Sequence, residues 1–298
     1  LDLLRRFGLP GSRVLIYLWN PLVIIEFAHG AHVDALMIFL MMASFWLLMV
    51  ARHRLLSAVS LAAATLTIGL PLLISPVLVW WWGWRGTTVY LALLVAACLP
   101  FARGAGWGLT GPLDGTGLFG ALRIYITRWN YNSGIYHWLE VVICGYPTPG
   151  AVPPEVVGWS LVLCTKLVVV GGMGLALGVV WWWSRRCNDD LTLLRLAAIP
   201  LAAYLLLTTT VHPWYVTLII PLFPFLTSAK RETSTVGRFL LPGLYFSAIV
   251  PLSYLTYLDP ANLREYTAVR LVEYLPLYLL LIWAAWPAIV AVGRPGRD

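Results

Sequence analysis

The chain has 298 residues, of which 60% are hydrophobic and 11% charged, with a formal net charge of +7. At a mean hydropathy of +0.81 a water-soluble domain would expose far too much apolar surface, so a soluble protein is excluded. The basic residues stand in short clusters between apolar runs, which argues for membrane topology signals and against a nucleic-acid partner. The four cysteines, Cys98, Cys144, Cys164 and Cys187, have no CxxC spacing, which leaves no metal knuckle or disulfide framework.

Apolar runs long enough for the ~20 residues of a spanning helix recur along the whole chain. Within lipid, the helix satisfies its own backbone polar groups, and no strand-and-turn alternation is present. The fold class expected is all-α: one polytopic transmembrane helical bundle over residues 1–298. Sixteen Trp and fourteen Tyr fit the aromatic belts at the two interfaces.

In chain order, the opening LDLLRRFGLPGSR reads as a basic loop rather than a signal peptide, and further helices are expected upstream of it. Taking Arg5/Arg6/Arg13, Arg52/Arg54, Arg185/Arg186, Lys230/Arg231/Arg238 and Arg294/Arg297 as cytoplasmic, Val14 to Ala28 runs outward and Ala35 to Val50 returns. His29 to Asp34 (HGAHVD) is left outside. Leu55 to Trp84 has Arg at both ends and a break at Gly69-Leu70-Pro71, so it is read as a re-entrant pair of half-length helices entering from the cytoplasm. Thr87 to Pro100 crosses outward, and Phe101 to Pro154 lies outside. In that segment, LFGALRIYITRWNYNSGIYHWLEVVI is read as an amphipathic helix lying on the outer leaflet. Val156 to Trp183 returns, carrying Lys166 about 15 Å into the span. Leu191 to Val211 goes out, His212-Pro213-Trp214-Tyr215 turns, and Val216 to Leu226 comes back. Phe239 to Tyr257 and Val269 to Val292 form the last pair.

Four polar groups then fall on one face. Pro213 turns the chain while His212 supplies a hydrogen-bond donor or proton carrier, with Trp214 and Tyr215 able to pack on a sugar or prenyl chain. The bland reading is an interfacial Pro turn. Asp34 and Glu26 are carboxylates at the membrane boundary, suited to deprotonating or orienting a sugar hydroxyl; a helix N-terminal charge is the bland reading of Asp34. His29, His32 and Asp34 make only a weak metal pattern, and no metal or cofactor is indicated. On a continuous helix Trp129, Asn132 and Tyr136 share a face, an aromatic and amide surface for sugar rings, with Arg123 and Arg128 beside an anionic head group. An anchored interfacial helix carries equal weight. Arg270 and Glu273, three apart, read first as a local ion pair.

YLWNPLVIIEFAHGAHVDAL, RWNYNSGIY, HPWYVTLIIPL and RLVEYLP, in this order over most of the chain, resemble the GT-C membrane glycosyltransferases. The resemblance is in particular to the polyprenyl-phosphate-mannose-dependent mannosyltransferases, glycosyltransferase family 87. Two departures stand out: the family's Gly-His-Asn-Asp is Ala31-His32-Val33-Asp34 here, and its catalytic carboxylate usually lies in an earlier outer loop. The resemblance implies transfer of a hexose, mannose first, from a polyprenyl-phosphate donor to a glycan or glycolipid acceptor on the outer face of the plasma membrane. It implies Asp34 as base, His212 and Arg128 on the phosphate, and Trp129, Asn132, Trp214 and Tyr215 on sugar or lipid. Glu26, His32 and Arg270 complete the expected substrate contacts. A transporter or lipid flippase shares the composition but calls for charge along a pathway and internal repeats, of which none is found.

Overall fold

The computed structural model describes residues 1–108, 115–144, 159–227, 235–258 and 265–292. Numbering only the longer helices, these residues form α1 (Asp34–Met49), α2 (Arg54–Thr67), α3 (Ser75–Ala105), α4 (Gly120–Arg128), α5 (Ile135–Cys144), α6 (Trp159–Ser184), α7 (Ala198–Leu207), α8 (Leu240–Ile249) and α9 (Thr267–Val292). Short helical turns join them, and the one β-bridge among the described residues pairs Tyr131 with Thr210. The architecture is all-α, as the composition requires. Five helical stretches are long and apolar enough to cross a bilayer, and Pro21–His29 with Asp34–Met49 passes as a sixth, bent by 118°.

The basic segments gather at one end. Arg6 and Arg52 both bond Asp190, at 3.3 and 2.9 Å. Arg13 and Arg195 donate to the Thr227 carbonyl at 2.9 and 3.3 Å. Residues 6, 13, 52, 190 and 227 therefore share a level, which agrees with reading their clusters as one side. Lys230/Arg231 and Arg294/Arg297 lie outside the described residues.

The Gly69-Leu70-Pro71 break ends α2 and begins a 3-10 turn over Leu70–Ile74. The helical stretch that follows bends at Gly83, whose φ of 67° is open to glycine at little cost. The bend is sharp enough that the Trp82 and Tyr90 rings lie 5.4 Å apart, and Thr87 Oγ1 reaches the Val79 carbonyl at 3.4 Å. Trp82 Nε1 donates to Ser57 near the start of α2, at 2.9 Å, and a Cβ on Gly86 would stand 3.7 Å from the Arg54 carbonyl. Residues 54–67 thus enter from the basic end, residues 75–82 return to it, and residues 84–105, about 33 Å of helix, leave again. The two half-length helices thus fold back on each other in the shape expected of a re-entrant pair.

Three segments depart from the sequence reading or settle a point it left open. Val14 to Ala28 is not one helix: Pro21 interrupts it, and Asn20 caps the new start by accepting from Leu22 N–H at 3.0 Å while donating to Ser247 at 2.9 Å. Lys166, ten residues into its expected span, finds its partners within the chain. Its Nζ donates to the carbonyls of Ile126 and Thr127 at 2.6 and 2.8 Å, the exposed carbonyl end of α4, where a cation is favoured. The third is the RWNYNSGIY segment, which is extended rather than helical: α4 ends at Arg128 and α5 starts at Ile135. Asn132 adopts φ 46°, which breaks the helix. A Cβ on Gly134 would sit 2.6 Å from the Tyr274 ring, so only glycine allows α9 to approach this closely.

Candidate active site at the end opposite the arginines

The extended segment is held against the chain leaving α7. Tyr131 N–H donates to Thr209 O at 3.1 Å, and Val211 N–H donates to Tyr131 O at 2.8 Å. In an extended strand alternate residues share a face, so Trp129 and Tyr131 both reach His212. Their ring centroids lie 6.3 and 4.6 Å from the imidazole. On the other side His212 stacks on Trp214 at 4.3 Å, with an interplanar angle of 5°. Tyr215 meets it edge-on at 5.4 Å. His212 holds the N-cap position and Pro213 starts the next turn, which is why the rings of His212, Trp214 and Tyr215 meet within four residues of chain.

The acidic loop arrives at the same place. His32 stacks on Trp214 at 4.6 Å. Its Nε2 lies 3.3 Å from Glu26 Oε2 and its Nδ1 lies 3.9 Å from Asp34 Oδ2, so one imidazole stands between two buried carboxylates. Tyr254 donates to the other Glu26 oxygen at 2.7 Å. Asp34, 2% exposed, keeps Oδ1 without a hydrogen-bond partner among the described residues. No three His, Cys, Asp or Glu side chains among those residues are arranged to hold a metal ion.

A second polar group lies beside the first, between α5 and α9. Asn132 Nδ2 donates to Glu273 at 2.6 Å. Arg270 pairs with Glu265, and its other terminal nitrogen stands 3.2 Å from the His137 ring. The local Arg270–Glu273 ion pair expected from spacing is therefore not formed: both are buried, but each bonds a residue brought in from another segment. Asn130 joins the group by donating to Glu140 at 3.1 Å.

Burial sets the charge states. It pushes His212 down to about 4, with the positive potential of His32 adding to the shift. His137 is lowered to about 4 by burial and by Arg270. Both imidazoles are neutral at pH 7 and act as hydrogen-bonding groups rather than cations. Burial raises Glu265 despite the adjacent Arg270 guanidinium.

Of the residues singled out in the sequence, Glu26, His32, Asp34, Trp129, His212, Trp214 and Tyr215 meet in one cluster. Asn132 and Arg270 belong to the adjoining group. Arg128 is exposed at the end of α4, outside the ring stack. Trp129, Asn132 and Tyr136 do not share a helix face. Sequence reasoning missed Tyr131, Tyr254, Glu265 and His137. For Tyr131 a signal existed, since W-N-Y-N has aromatic residues at the period of a strand.

Comparison with known proteins follows the same lines. Residues 1–84 match the family described as "Alpha-(1->6)-mannopyranosyltransferase, N-terminal domain". Alpha-(1->6)-mannopyranosyltransferase A of Mycobacterium tuberculosis is 26% identical in a match 274 residues long that covers 79% of this chain and 50% of the relative. The chain thus spans about half the length of that curated relative. No solved structure matches. By these likenesses the chain resembles the membrane mannosyltransferases of the GT-C type.

Proposed function

We propose that this chain carries the site of a membrane mannosyltransferase, which takes mannose from a polyprenyl-phosphate donor and places it on a glycan or glycolipid acceptor at the extracytoplasmic face. The observation that carries the reading is the meeting of Glu26, His32 and Asp34 with the His212–Trp214 stack, 4.6 Å from His32 to Trp214 and 4.3 Å from Trp214 to His212. These groups stand at the end of the bundle opposite Arg6, Arg13, Arg52 and Arg195, and the positive-inside rule supports reading that end as the outer one. Nucleotide sugars are cytoplasmic, so an outer site calls for a donor carried by the membrane. The names of the matching family and relative support mannose as the sugar and α-(1→6) as the linkage.

In this reading the acceptor hydroxyl oxygen attacks the anomeric carbon of the donor. Its proton passes to Asp34, whose unpartnered oxygen is free to accept it. The bond from the anomeric carbon to the phosphate oxygen breaks, and polyprenyl phosphate leaves with the electron pair. Neutral His212 hydrogen-bonds a phosphate oxygen, and Arg128 supplies the positive charge that favours the leaving group. Trp129, Trp214 and Tyr215 offer ring faces to sugar or lipid. His32, held by Glu26, orients Asp34. A single displacement inverts the anomeric centre.

Reconstituting the complete gene product with radiolabelled polyprenyl-phosphate mannose tests this. Label passing to acceptor, and lost by a factor of at least about 100 in Asp34→Asn and in His212→Ala, is the expected result. Transfer unchanged in both variants overturns the site assignment, and lipid movement without sugar transfer favours a flippase.

A further inference from the structure

Asn132 is 4% exposed, yet its amide faces away from the ring stack. Its φ of 46° lies in a region that residues other than glycine enter at a cost, Asn and Asp more readily than most. Three of its groups are held from distant parts of the chain. The N–H donates to Glu265 Oε1 at 3.0 Å, Nδ2 donates to Glu273 Oε2 at 2.6 Å, and the carbonyl accepts from the Tyr274 hydroxyl at 2.6 Å. Immediately before it, Tyr131 is bound on both backbone groups by Thr209 and Val211. The Tyr131 hydroxyl donates to the Ser253 carbonyl at 2.9 Å, while its ring lies on His212.

A single β-bridge is a weak element, and a left-handed residue beside it weakens it further. What holds the turn in place is the set of bonds to Glu265, Glu273 and Tyr274, of which the Glu273 and Tyr274 bonds are short and fully buried. We propose that Asn132 and Glu273 are positioning residues: α9 clamps the left-handed turn, the turn sets Tyr131 and Trp129 against His212, and so the last helix fixes the imidazole's orientation without touching the sugar. The inference rests on the reading of His212 as part of the transfer site. It changes the role of Asn132 from sugar contact to anchor, because the amide nitrogen is already committed to a carboxylate.

The test follows His212 directly, by its rate of carbethoxylation with diethyl pyrocarbonate, read by mass spectrometry on the complete gene product in lipid nanodiscs, alongside kcat and donor KM. Asn132→Gly suits the backbone angle and deletes only the amide. It is expected to speed His212 modification about tenfold and to lower kcat by a similar factor with donor KM little changed, as loss of one buried hydrogen bond implies. Asn132→Asp alone removes the amide donor from the contact and does the same. Asn132→Asp combined with Glu273→Gln exchanges donor and acceptor across the same contact, and both readouts recover. Wild-type modification of His212 in Asn132→Gly, or no recovery in the double variant, overturns the clamp. The labelling readout needs no sugar transfer, so a protein that transfers no mannose refutes the functional reading and still decides this one.

Discussion

The re-entrant hairpin and the opposite end of the bundle bury polar side chains on different terms. In the hairpin the buried groups satisfy one another. Ser44 bonds Ser57 at 2.8 Å, Ser60 bonds the Leu40 carbonyl at 2.8 Å, Trp82 bonds Ser57 at 2.9 Å, and Thr65 meets Tyr90 at 3.1 Å. At the other end stand the buried atoms without a partner among the described residues: Asp34 Oδ1, Thr210 Oγ1, His212 Nδ1, Arg270 Nε, Glu273 Oε1 and Tyr278 Oη. Each such group costs about 1–3 kcal/mol relative to a bonded one. A closed network serves stability. An open one is what a site for a polar ligand needs, and the contrast is the physical ground for proposing the site at that end.

That contrast can be broken most readily at Asp34. Asp34→Asn keeps the shape, and mannosyl transfer is expected to fall by at least about 100-fold; a scintillation assay of acceptor product checks it. In the scaffold the expected effect is on stability instead. Trp82→Ala removes a buried ring and leaves the Ser57 hydroxyl short of a partner, at a cost of about 3–5 kcal/mol. A lower unfolding midpoint in detergent is the measurement. A third effect depends on pH. His212 and His137 each sit at about 4 in the folded protein, against about 6.5 when unfolded. The unfolded state therefore takes up protons that the folded state refuses between those values. Their contribution is intact above about pH 6.5 and is lost as pH falls towards 4, so the unfolding midpoint should be lower at pH 5 than at pH 7, and the difference should shrink in His212→Phe. The smallest effect is at Lys166: Lys166→Met removes the cation from the carbonyl end of α4, for about 1 kcal/mol, read as a small drop in the same midpoint.

Much of this was legible in the residues. The arginine clusters sorted the ends because charge is excluded from the hydrocarbon, and Gly69-Leu70-Pro71 announced the re-entrant break because proline cannot continue the helical ladder. His212-Pro213-Trp214-Tyr215 and the His32/Asp34 loop were read as neighbours only from that bookkeeping, and the rings now lie within 5 Å of Trp214. What escaped was decided by tertiary contact. Asn132 turns left-handed because α9 supplies partners for it, so a segment with helical spacing became an extended strap. Arg270 and Glu273 have the spacing of an ion pair, yet Glu265 and Asn132 win them. Tyr254 reaches Glu26 across 228 positions of sequence, a separation that no local pattern encodes.

The most direct test measures transfer rate and unfolding midpoint on one preparation of Asp34→Asn. If the outer carboxylate is an open site group, activity collapses while the midpoint stays the same or rises, because a buried charge without a full set of partners has been removed. A midpoint that falls in step with activity, or a rate equal to that of the unaltered protein, would make Asp34 part of the scaffold and contradict the account.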